Sequence, residues 1–190
     1  MKKLFITAML LAKLTVLNAQ DMQSLEETAQ KVIDHNVAGE YEQSIEYIYP
    51  KVFNIISKQS FLENLPGVMQ TPSYTISFAK IQPDFSFGDI KYIDNGYYCL
   101  VEYNTNMKVA FNDAISDDDR ESTIDSFKAV PNAGKVDYDV KTKTLSINKR
   151  EKAIAVCNDA SDKKWKFIYN DGSDAANVIL DEKVKKELGL

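Results

Sequence analysis

The stretch Tyr92-Ile93-Asp94-Asn95-Gly96-Tyr97-Tyr98-Cys99-Leu100-Val101-Glu102-Tyr103 decides the class of fold. Asn-Gly between two runs rich in aromatic and β-branched residues is the strongest short-range hairpin signal, because a two-residue hairpin turn needs positive φ angles that Asn and Gly tolerate. An extended run over Phe85 to Ile93 therefore returns as a long strand from Tyr97 to about Val109. Upstream, Tyr74, Ile76 and Phe78 alternate with Thr75, Ser77 and Ala79, the period-2 pattern of a half-buried strand. Downstream, strands are expected at about Thr144 to Asn148, Lys152 to Asn158 and Trp165 to Tyr169, with Asp159 to Lys164 as a turn.

Helical periodicity flanks this β-rich centre. Leu25, Ala29, Val32, Ile33 and Val37 recur at helical spacing up to Gly39, and Ser24 followed by Glu27 reads as a capping box. A second short helix is expected from about Glu40 to Ile48, ahead of Pro50, and a third from Ser57 to Leu65, ahead of Pro66-Gly67. Between Asn112 and about Gly134 the pattern dissolves into Asp117-Asp118-Asp119, Glu121 and Pro131-Asn132-Ala133-Gly134. This reads as a long solvent-exposed connection with one helical turn near Thr123 to Lys128. Asn170-Asp171-Gly172-Ser173-Asp174 reads as a turn capping a final helix, Ala175 to Leu188. Helices, then an antiparallel meander, then a helix is an α+β order. The expected body is a curved antiparallel sheet of five to six strands carrying the N-terminal helices, with an extra C-terminal helix.

The first residues read as a secretory signal: Lys2 and Lys3 as the charged region, Leu4 to Ala12 as the apolar run, and a small residue, Ala19, before cleavage after Ala19 or Gln20. The run is interrupted by Lys13 and falls short of the roughly 20 apolar residues of a membrane anchor. The expected organisation is a signal peptide over residues 1–20 and one domain over 21–190, exported to the periplasm or the exterior, with no membrane span after cleavage. Removing the segment takes away Lys2, Lys3 and Lys13 and shifts the net charge from −5 to about −8. Such an acidic chain repels nucleic acid, so no nucleic-acid partner is expected.

Ala38-Gly39-Glu40-Tyr41-Glu42-Gln43-Ser44-Ile45 with Tyr49-Pro50, and Lys163-Lys164-Trp165-Lys166-Phe167-Ile168, resemble elements of the NTF2-like, or cystatin-like, superfamily. The first stretch is similar to that family's turn between two N-terminal helices, the second to its last strand. The resemblance implies a cone-shaped α+β domain whose pocket can serve isomerases, dehydratases, transport factors or proteins without catalysis, so the fold does not supply a function. The acidic connection after Phe111 and the helix Ala175 to Leu188 depart from the usual pattern, and suit a lid or an interaction surface.

Candidate chemistry is sparse. His35 is the only histidine, placed near the end of the first helix where an imidazole suits the helix dipole. Cys99 and Cys157, both in strand-like runs, are compatible with one disulfide or with two buried thiols. The Asp113 to Glu121 run lacks the glycine and ligand order of a Ca²⁺ loop and reads as solvated. No metal, cofactor or catalytic constellation is expected. Tyr47, Tyr98, Tyr103 and Trp165 are the candidates to line a cone pocket. The expected function is a non-enzymatic binding or scaffold module for a small molecule or a protein, with a homodimer as one form; the alternative is an isomerase- or dehydratase-like enzyme using the pocket.

Overall fold

A computed structural model of the chain describes residues 21–169 and 174–190. The segment read as a signal peptide, and residues 170–173 of the turn before the last helix, lie outside the described residues.

The chain is α+β. Helix α1 covers residues 21–38; it is already helical at residue 21, so Ser24 lies inside it and accepts from the Thr28 hydroxyl at 2.7 Å through its carbonyl instead of capping. Its apolar face is the one the sequence marks: Leu25, Ala29, Val32 and Ile33 are buried. Helix α2, Tyr41–Ile45, is shorter than its expected range, and a 3₁₀ turn at Pro50–Asn54 leads to α3, Lys58–Met69. The Ser57 hydroxyl caps α3 by accepting from the Ser60 N–H. That helix runs past the expected stop at Leu65, through Pro66, and its final turn closes with the Gln70 N–H on the Pro66 carbonyl.

Among the described residues, seven strands form one antiparallel sheet, more than the five or six expected. They are β1 (Tyr74–Phe78), β2 (Ser86–Phe87), β3 (Lys91–Ile93), β4 (Gly96–Phe111), β5 (Ala133–Asp139), β6 (Thr144–Cys157) and β7 (Lys166–Tyr169). Two long strands form its spine: β4 pairs with β6 from Tyr97↔Cys157 to Ala110↔Thr144. Everything else flanks them. β1, β2 and β3 follow one another along the free side of β4, and β5 and β7 share the free side of β6.

Part of the extra strand count comes from the run Phe85 to Ile93, which is two short strands on β4. The two segments expected at 144–148 and 152–158 are instead one continuous strand, because the polar residues between them still alternate between two faces. The β3–β4 hairpin is present, with its turn one residue earlier than Asn-Gly: Asp94 and Asn95 carry the positive φ angles, and Gly96 is the first residue of β4. Gly96 has a packing role as well, since a Cβ there would stand 2.9 Å from the Tyr98 ring.

The expected acidic connection is a correction. Residues Asp117–Lys128 form a helix, α4, and Ala133–Asp139 is a strand. Ser116 caps α4 by accepting from the Asp119 N–H at 3.1 Å, and the three aspartates of its first turn sit where the helix dipole favours negative charge. The expected single C-terminal helix is also two, α5 (Ala175–Ile179) and α6 (Glu182–Leu188), divided where Leu180 adopts an extended conformation and is buried.

The sheet has a core on each side. On one face Cys99, Val101, Ala153, Ala155 and Phe167 pack under α1, the small alanines leaving room for the helix. Further along the same face, Val109, Leu145 and Ile147 pack under Ile124 and Phe127 of α4. On the other face Tyr98, Ile154, Val156 and Ile168 meet Leu180, Val184 and Leu188 of the C-terminal helices. Lys183 joins this layer to the hairpin turn through Asp94 at 2.5 Å. The segment 47–49 lies beside β7 as a parallel bridge, Ile48↔Phe167. Among the described residues no helix is long and apolar enough to cross a membrane.

Truncating the spine tests this account. Ile147→Ala removes a fully buried side chain and is expected to cost about 2–5 kcal/mol, whereas Tyr92→Ala, on a residue 62% exposed, is expected to change stability by less than about 0.5 kcal/mol. Urea unfolding of both variants checks the contrast, and equal effects would contradict the placement of the core.

Candidate functional site

The spine has a waist. On the β4 side, β2 reaches only to Glu102 and β1 begins at Met107; on the β6 side, β5 ends at Lys149 and β7 begins at Ala153. Where both flanks break, the register places Tyr103 opposite Glu151 and Thr105 opposite Lys149. Directly opposed residues of an antiparallel pair share a face. These four therefore continue the face that carries Cys99, Val101, Ala153 and Ala155: Tyr103 belongs to the core under α1, and Thr105, Lys149 and Glu151 lie between it and the part covered by α4.

Over this waist lies a half-enclosed cavity of about 590 Å³, within the roughly 300–1,000 Å³ typical of small-molecule sites. Its walls come from the N-terminal third: Ile33 and Val37 of α1, Tyr41 and Ile45 of α2, Val52 and Phe53 of the 3₁₀ turn, Ile55 and Ile56 just after it, and Phe61 and Leu65 of α3. Val178 of α5 adds to the rim. Ile55 and Val178 are 54% and 70% exposed, so the mouth is apolar as well as the walls.

The floor is different. Lys149 and Glu151 form an ion pair of 2.8 Å with side chains only 14% and 16% exposed. Tyr103 and Tyr169 lie beside it. Burial, reinforced by Tyr169 and then Glu151, pushes the Tyr103 phenol well above its ordinary range; burial and then Glu151 do the same at Tyr169. Both phenols therefore remain neutral hydrogen-bond donors. Among the described residues the buried Thr105 hydroxyl has no hydrogen-bond partner. The buried Asn106 Oδ1 is likewise unpartnered, while its amide donates to Asn148 Oδ1 at 2.6 Å. Tyr41 at the α2 wall is also shifted upward by burial.

Of the four pocket candidates named from the sequence, Tyr103 alone lines this cavity. Tyr47 packs beside His35, 5.9 Å between ring centroids, with the Lys166 ammonium 5.6 Å from its ring. Tyr98 belongs to the core on the opposite face, and Trp165 is buried under α1. His35 itself contacts Glu40 at 2.7 Å at the end of α1. The residues that sequence reasoning missed are Lys149, Glu151, Thr105 and Tyr169. A usable signal existed: in Ile147-Asn148-Lys149-Arg150-Glu151-Lys152-Ala153, charged residues 149 and 151 share parity with buried 147 and 153. Polar residues interrupting the inward set of one strand mark a place where the inward face meets a cavity instead of a core.

Both cysteines are free thiols on this same face. Cys99 stands opposite Ala155 and Cys157 opposite Tyr97, a diagonal relation across the strand pair; diagonal neighbours lie roughly 7–8 Å apart, beyond the usual disulfide span. Among the described residues no group of three or more His, Cys, Asp or Glu side chains is placed to hold a metal ion.

Burial pushes the Cys99 thiol from its ordinary 9.0 to about 11. A thiolate is the reactive form. Iodoacetamide at neutral pH is therefore expected to label half-buried Cys157 before Cys99, read by peptide mass spectrometry; faster labelling of Cys99 would contradict its burial. Because the folded state keeps this proton longer than the unfolded chain, Cys99 lowers stability as pH rises from about 9 towards 11, and Cys99→Ala is expected to flatten that part of the stability profile.

No protein-family model, curated protein or solved structure matches this chain.

Proposed function

We propose that this chain is an exported binding protein of the NTF2-like kind that holds a small, mainly apolar molecule in the cavity between its N-terminal helices and the waist of its sheet. The observation that carries the reading is the contrast within the cavity: an apolar wall and mouth over a floor with one compact polar cluster. Small-molecule sites have this composition, a predominantly apolar lining with a few convergent polar groups that set orientation. A merely unfilled core would not combine a desolvated ion pair, two phenols and an unpartnered hydroxyl in one patch. Export rests on the signal-like composition of residues 1–20, and the NTF2-like reading on N-terminal helices followed by an antiparallel sheet with a cavity between them.

A specific arrangement favours a second reading, an isomerase- or dehydratase-like enzyme. Glu151 faces Tyr103 across the strand pair, as a carboxylate base and a phenol that polarises a carbonyl would. Lys149 engages that carboxylate at 2.8 Å, which directs its charge to a fixed partner instead of a substrate proton, so the binding reading is preferred.

Native mass spectrometry of protein purified without denaturation, from the periplasm or culture medium of an expressing cell, tests the proposal. A retained small molecule, lost in Ser44→Trp, which projects a large ring into the cavity from α2, is the expected result. An empty wild-type chain that also fails to take up any apolar probe would overturn the binding reading. Recovery of the mature protein only from the cytoplasm would overturn export.

A further inference from the structure

Resting on the binding reading, we infer that the cavity selects a neutral amphipath, one whose apolar body lies along the helical walls and whose uncharged oxygen, a hydroxyl or a carbonyl, meets the Tyr103 phenol at the floor. The argument starts from charge. Lys149 and Glu151 compensate each other at 2.8 Å in a place where both are largely removed from water. A ligand carboxylate would gain Lys149 only by facing Glu151, and a ligand ammonium would gain Glu151 only by facing Lys149. Either would add an uncompensated charge to a poorly solvated site, which is costly unless it is paired.

Hydrogen-bonding capacity then narrows the choice. Thr105 sits opposite Lys149 in the register, but its hydroxyl is buried and closed to the cavity, so it takes no part. Tyr103, opposite Glu151, faces the same cavity with a phenol that burial keeps protonated. A phenol donates, so an uncharged oxygen acceptor satisfies it without disturbing the ion pair. An alkane would offer the phenol nothing to donate to. The apolar side needs no such matching, because Ile33, Val37 and Phe61 offer surface without direction.

A matched set of probes reads this directly: lauryl alcohol and methyl undecyl ketone against lauric acid and laurylamine, each titrated calorimetrically into the purified protein at neutral pH. The alcohol and ketone are expected to bind at least about tenfold more tightly than the acid and the amine, a difference of about 1.4 kcal/mol. Tightest binding of the acid or of the amine would overturn the inference. Equal binding of all four would overturn it too while leaving the binding reading intact, and no binding of any probe would remove both. Tyr103→Phe, which keeps the ring, is expected to weaken the alcohol and ketone about 2- to 10-fold, as for one hydrogen bond, with an unchanged melting temperature. Unchanged affinity in that variant would remove Tyr103 from the recognition. The double variant Lys149→Gln with Glu151→Gln is expected to reduce the discrimination against charged probes, and undiminished discrimination would show that the ion pair does not set it.

Discussion

The pairing of β4 with β6 is the constraint from which the rest of the molecule follows. Tyr97 to Ala110 run against Cys157 to Thr144 without a register shift, so the parity of each residue is fixed along the whole length. A slip of one residue would exchange Val109, Leu145 and Ile147 with the exposed set. Two cores and a cavity lie along this single ladder. The helices do not determine one another's positions so much as occupy the stretches of sheet whose side chains accept them.

That arrangement explains why the cavity is where it is. α1 covers the face where alanines and Cys99 leave room, and α4 covers the aromatic and branched end near Phe111. α1 also meets Tyr103, but Thr105, Lys149 and Glu151 line the cavity, and packing an apolar helix onto a desolvated ion pair would leave its remaining hydrogen-bonding positions empty. The ion pair thus acts as a spacer within the fold. Leucine or isoleucine at 149 and 151 would remove that pair and let apolar side chains meet across the volume.

Much of the architecture was legible because it is written in local patterns. The face of α1 is readable from Leu25, Ala29, Val32 and Ile33 alone, and the β3–β4 hairpin from its turn. The failures have physical reasons too. Asp117-Asp118-Asp119 looks like a solvated loop by charge density, yet after Ser116 it is the favoured first turn of a helix, and the capping residue outweighs composition. Lys149-Arg150-Glu151-Lys152 looks like a break between strands, because a strand that faces water on one side and a cavity on the other loses its apolar alternation. Tyr47, Tyr98 and Trp165 were attractive as aromatics, but which of several aromatics lines a cavity depends on pairing partners distant in sequence. Tyr103 is distinguished only by standing opposite Glu151.

The broken flanks of the spine carry one more consequence. On one side of β4 the neighbouring strands are short and separate, and on β6 the exposed margin of β7 is met by residues 47–49, whose Tyr49 N–H donates to the Phe167 carbonyl at 2.9 Å while the Phe167 N–H donates to the Tyr47 carbonyl at 2.7 Å. β5 carries Lys135 and Asp137 on its margin. A long, flat, unpaired margin is a template on which a second chain can add strand after strand until fibrils form. Here the interruptions that leave the waist open to the cavity also leave no such template of useful length among the described residues, so the cavity and the protection of the sheet against self-assembly arise from the same discontinuities.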